Sequence, residues 1–277
     1  MADWTKITGV GDVEDRRGLS TGVLAGGGGI VTVIIVFALN YFGIAVDPAL
    51  VQTAVTQFDQ ATATARKQSQ PPEFSGDDSY QVFTAKVLAS TTDTWTPIFA
   101  SANQSYTAPK IVLFRTATAS ACGGATSQMG PHYCPADQMI YIDEIFYDAL
   151  KTKFQANPTE TAQAYVVAHE VGHHVQHQLG SFSDYTGTSN AASVQIELQA
   201  DCYAGIWGYS VSKLGVVAPA EMRQAMDMAA AVGDDHIQRD TTGRVSPETW
   251  THGSSAQRVE AFTRGYTAGN PSVCKNF

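Results

Sequence analysis

Apolar residues along this chain change their spacing several times, and each change predicts an element. Residues 18–46, GLSTGVLAGGGGIVTVIIVFALNYFGIAV, carry no charge, and a helix needs only about 20 such residues to cross a bilayer. A buried core helix is seldom this long, and four consecutive glycines would weaken one in water. The run is also too long for a cleaved signal peptide. It predicts one transmembrane helix whose Gly-rich start leads into IVTVIIVFALNYF. Residues 47–78, rich in Gln, Thr and Ala before QPPEFSGDD, read as a linker. A helix is expected around 78–90, then a helical or irregular stretch to about 105. KIVLFRTATA and QMIYID read as strands. From residue 143, DEIFYDALKTKF places apolar residues at three- and four-residue spacing, which is helical. NPTE at 157–160 offers Asn157 as N-cap, Pro158 at the first helical position and Glu160 three residues after the cap, with Gly180 as the stop. Few strands followed by many helices predicts an α+β domain, mostly helical with a small sheet. The expected organisation is an N-terminal segment 1–17, an anchor 18–46, a linker 47–78 and a domain 79–277.

Charge narrows the partners. A net charge of −9 with 17 basic residues and no basic cluster excludes a nucleic-acid protein. Arg16 and Arg17 precede the apolar run, and no Lys or Arg follows it until Arg66. The positive-inside rule therefore predicts a cytoplasmic N-terminus, a single pass through the cell membrane and an extracytoplasmic domain. All four cysteines lie beyond the run, none in a CxxC pair, which points to disulfides. Three pairings are possible. The turn-rich CGGATSQMGPHYC favours Cys122 with Cys134, leaving Cys202 with Cys274.

The chemistry concentrates in AYVVAHEVGHHVQHQLG, residues 164–180. On a helix His169 and His173 lie one turn apart on one face, so both imidazoles can reach one ion, and Glu170 projects beside them as a base toward water. This HExxH pattern is the zincin arrangement and implies Zn2+. His177 is eight residues, about 12 Å, from His169 and cannot share that ion. His174 points away. The longer HExxHxxGxxH pattern fails, because Gln176 and Leu179 occupy its glycine and last-histidine positions. A third ligand must come from elsewhere, and VQIELQADCYAGIW supplies Glu197, with Asp201 one turn on to accept a hydrogen bond from a ligand histidine. Apolar neighbours around both acids argue against a plain solvated face. Gly172 inside the helix is explained if another backbone packs closely there.

With these residues in hand, the chain resembles the membrane-anchored bacterial family known as the "putative neutral zinc metallopeptidases". The likeness is carried by VEDRRG, the GGGG before the apolar run, GPHYCPADQMIYID, HEVGHHVQ, ELQADCYAG, AVGDDHIQ and HGSSAQR. The resemblance implies a zincin-like fold, one zinc held by His169, His173 and Glu197, and hydrolysis of peptide bonds in a protein or peptide substrate with Glu170 as base.

Two later motifs leave alternatives. His252, in HGSSAQR just before a helix expected near Ser254, could stabilise an oxyanion from the far side of the cleft, or could serve in packing or capping. Asp234, Asp235 and His236 could hold a cation, but such groups more often cap or pair locally. Two functions follow: a zinc peptidase, or a zinc-stabilised extracytoplasmic binding or scaffold protein without turnover. An intact Glu170 favours the enzyme.

Overall fold

The computed structural model describes residues 2–18, 78–154, 156–181, 189–275 and 277. Apart from Gly18, the predicted anchor lies outside the described residues, as does the linker up to residue 77. Among the described residues no helix is long and apolar enough to cross a membrane.

A four-stranded mixed sheet supports the molecule. Strands β1 (Val13–Asp15), β2 (Lys110–Phe114), β5 (His132–Cys134) and β6 (Met139–Asp143) run in the order β1-β2-β6-β5, and β3 (Ala117–Ser120) pairs with β4 (Gly123–Thr126) in a separate hairpin. β1 pairs with β2 and β2 with β6 in parallel, while β5 lies antiparallel to β6. IVLF, residues 111–114, reads as a continuous apolar run because β2 is buried on both faces. Ile111 and Leu113 join the main core, whereas Val112 and Phe114 pack with Ala125, Cys134 and Tyr141 in a second, smaller cluster. Cys122 and Cys134 are joined, closing the loop that carries β4.

Residues 1–17 were expected to stand apart from the domain, and the structure differs. Val13–Asp15 forms the β1 edge of the sheet, Ile7 and Val13 are buried in the main core, and Trp4 stacks on Trp207 at 6.5 Å. Three residues with one buried position are too short to reveal a strand, and the partner lies about a hundred residues onward.

The helices are α1 (Ser79–Ser101), α2 (Ile145–Phe154), α3 (Glu160–Gln178), α4 (Asn190–Lys213), α5 (Met222–Ala231), α6 (Asp234–Thr242) and α7 (Ser255–Ala268). α1 absorbs both the helix expected at 78–90 and most of the stretch after it, with Pro97 inside. The N-cap of α3 is Thr159, not Asn157: its hydroxyl accepts the Ala162 N–H, while the Asn157 carbonyl is used by Thr159 N–H at 2.8 Å. α7 starts as expected, with Ser254 and Gln257 completing a capping box.

Close helix packing depends on missing side chains. A Cβ on Gly172 would stand 2.8 Å from the Ala200 carbonyl oxygen, so α3 and α4 meet backbone to backbone there, as the glycine inside the motif suggested. α4 and α7 cross the same way, since a Cβ on Gly265 would stand 1.9 Å from the Cys202 carbonyl oxygen. The Cys202–Cys274 disulfide then ties α4 to the C-terminal turn Pro271–Cys274.

Candidate metal centre

The Gly172 contact sets α3 against α4 so that two imidazoles and a carboxylate converge. Ligand atoms of His169, His173 and Glu197 all lie within 4.8 Å of one another. His169 Nε2 is 3.1 Å from Glu197 Oε2, and His173 Nε2 is 3.5 Å from Glu197 Oε1. Nitrogen and oxygen ligands roughly 2.1 Å from one tetrahedral zinc stand roughly 3.4 Å apart, so this donor set fits zinc.

Each histidine is oriented from behind. His169 Nδ1–H donates to Asp201 Oδ1 at 2.8 Å, leaving Nε2 to face Glu197. His173 Nδ1–H donates to Gln176 Oε1 at 2.9 Å; the Gln176 amide donates to the Ile196 carbonyl and to Gln199 Oε1, and Gln199 Nε2 donates to the Cys274 carbonyl. One histidine is held by an acid, the other by an amide relay that ends at a disulfide. Asp201 is fully buried and is met by Arg258, whose Nε donates to Oδ2 at 2.8 Å and Nη2 to Oδ1 at 3.1 Å. Tyr165 Oη donates to the same carboxylate.

The electrostatics favour a cation. Burial opposes charge on His169, but Asp201 and Glu197 prevail and raise its pKa to about 10. Burial also opposes charge on Glu197, yet His173 and His169 hold it well below the usual carboxylate range. Burial would raise Asp201, and Arg258 and His169 instead bring it to about 2. A buried carboxylate with a bidentate arginine and a histidine is compensated rather than stranded.

Above the trio opens a cleft of about 510 Å³. Glu170, His252 and Arg258 line it with the three ligand-type residues. Met129, Phe146, Leu150, Val166, Val232 and Ile237 make its walls mainly apolar, with His132, Tyr133, Tyr165 and Ser193 among them. A second hollow of about 730 Å³, lined by residues such as Val194, Leu198 and Trp250, contains none of the trio.

His252 sits on the rim with about half of its side chain exposed, and its Nδ1 is 3.3 Å from Asp234 Oδ1. Asp234 Oδ2 accepts the backbone N–H groups of Thr251, His252 and Gly253. Asp235 Oδ1 accepts both the backbone and hydroxyl hydrogens of Ser255, and His236 Nε2 lies 3.6 Å from Asp240. These acids are committed to local capping, so VGDDHIQ builds the rim rather than a cation site. His174 and His177 belong to a separate cluster around Tyr133, with His174 Nε2 also 2.7 Å from the Thr107 carbonyl.

Sequence reasoning missed Arg258 and Gln176. Arg258 had a signal: it shares one helical face with Ala261, Phe262 and Gly265, and a charge at a buried position implies a buried partner. In the sequence Gln176 shows only as the residue that breaks a longer motif.

The family profile described as "Putative neutral zinc metallopeptidase" matches residues 2–277, and the chain belongs to that family. It is 39% identical to "Uncharacterized protein YpfJ" of Escherichia coli K12 over 96% of this chain and 95% of that protein. It is 42% identical to "Uncharacterized protein Rv2575" of Mycobacterium tuberculosis H37Rv over 73% of each. No solved structure matches it.

Proposed function

We propose that this chain is a zinc-dependent peptidase that hydrolyses peptide bonds with Glu170 as general base and works outside the cytoplasm, attached to a membrane through residues 18–46. The observation that carries the reading is the convergence of His169, His173 and Glu197 at the floor of a cleft that also presents Glu170. Zinc held by those three residues would polarise a substrate carbonyl and make water a nucleophile near neutral pH.

The chain's own residues do the rest. Asp201 and Gln176 keep the two Nε2 atoms aimed inward by holding the protons on Nδ1. Glu170 takes a proton from the attacking water and returns it to the departing amine. His252, in its doubly protonated form with Nδ1–H held by Asp234, donates its Nε2–H to the oxyanion that develops on the carbonyl. The apolar part of the walls suits a bulky apolar side chain beside the scissile bond. Two disulfides support an oxidising compartment.

The test is cleavage of a broad peptide library by the purified chain, stopped by a chelator and restored by zinc. A chain that binds zinc in the trio and cleaves nothing would instead be a zinc-stabilised scaffold.

A further inference from the structure

The two ends of the segment 19–77 meet. Arg17 Nη2 lies 3.0 Å from Asp78 Oδ1, while its Nη1 donates to Glu144 at 2.8 Å and its Nη2 also pairs with Asp15. Residues on the two sides of a bilayer are separated by a hydrocarbon core about 30 Å thick. Single passage through residues 18–46 requires that separation, and the ion pair forbids it.

The N-terminal segment is also built into the domain along its length. Val13, Glu14 and Asp15 pair with Ile111, Val112 and Leu113, and the backbone N–H of Asp3 donates to the Val216 carbonyl at 2.7 Å. Gly11 N–H donates to the Ala85 carbonyl at 2.9 Å. A strand cannot hydrogen-bond to a sheet across a membrane, because backbone groups need partners at contact distance.

The arginines that suggested a cytoplasmic N-terminus have another use. Arg16 Nε pairs with Glu14 at 2.6 Å and its Nη1 donates to the Ala119 carbonyl, and the Arg17 side chain is only 8% exposed. In the fold both charges are paired and serve to fasten the N-terminal segment to the domain. Nor does a second crossing restore the balance. Between residues 47 and 77 the charges Asp47, Asp59, Arg66, Lys67, Glu73 and Asp77 leave no uncharged run near the required length of about 20.

We infer that residues 2–18 and the described residues from 78 onward occupy one side of the membrane. Residues 18–46 then do not carry the chain across in a single pass, and the expected single pass is replaced. The point of departure adjoins Glu144, one residue before α2, whose Phe146 and Leu150 form part of the cleft wall. The chain therefore leaves the described fold beside the cleft.

This inference rests on the membrane attachment proposed above, and one experiment separates the two. Val10 is 60% exposed in the N-terminal segment and Leu214 is 56% exposed in the domain. Val10→Cys and Leu214→Cys, made singly in the full chain, are treated with a membrane-impermeant maleimide in intact spheroplasts and after lysis, with the parent chain as blank. The expected result is equal labelling of both before lysis, within about twofold. Labelling of both only after lysis would sustain the shared side while overturning the location outside the cytoplasm. Labelling of Leu214→Cys before lysis, with Val10→Cys protected until lysis, would overturn the inference.

Discussion

His173 and His252 line the same cleft, yet the fold holds them by different means. His173 is buried, and its Nδ1 is fixed through Gln176 and Gln199 to the carbonyl of a disulfide cysteine. His252 stands half-exposed on a rim whose shape comes from one carboxylate, Asp234, gathering three consecutive backbone N–H groups. A floor interlocked with the core can hold a cation without rearranging, but any change there is felt by the whole domain. A rim built on a short loop can meet a substrate, and its side chains can be altered with little cost to folding.

That contrast can be broken most severely at the floor. His173→Ala should abolish zinc binding and all cleavage, and should also lower the melting temperature, because metal bound to the native state alone contributes stability. Metal analysis and calorimetry would check both; a variant that retains one zinc per chain would remove His173 from the ligand set.

The rim should behave differently. His252→Ala should lower kcat by about 100-fold, in the range known for loss of an oxyanion donor, with zinc content and melting temperature unchanged. A change in KM alone would assign His252 to substrate binding.

A smaller effect is expected behind the floor. Arg258→Lys keeps a positive charge near Asp201 but loses the two-pronged contact, so zinc affinity should fall about tenfold, read by competition with a chromophoric chelator. Unchanged affinity would show that Asp201 holds His169 without help. Smallest of all, Thr159→Ala removes the cap of α3 and should cost about 1 kcal/mol in a denaturant titration without altering zinc affinity.

The same contrast explains what the sequence disclosed. His169, Glu170 and His173 are related by one helical turn, and Glu197 with Asp201 by another, so each half of the floor is legible from spacing alone. The meeting of the halves was signalled by Gly172, whose missing side chain lets α4 approach. Contacts between distant segments left weaker marks. Arg258 reaches Asp201 because Gly265 lets α7 lie against α4, and only its apolar helical neighbours hinted at burial. β1 left almost none, since a three-residue strand has no periodicity to read and its charged residues resembled the flank of a membrane span. The cap of α3 was misplaced by two residues because Asn157 and Thr159 are both competent caps, and only the backbone path past Pro158 selects between them.

The central claim is that Glu170 works on water beside a zinc ion held by the other three residues, and Glu170→Gln isolates it. This change preserves shape and every ligand, but removes the group that takes the proton. Peptide cleavage by parent and variant should be compared at equal zinc content. The account predicts one zinc in each, closely similar melting temperatures and a rate at least about 100-fold lower in the variant. Equal rates would contradict it.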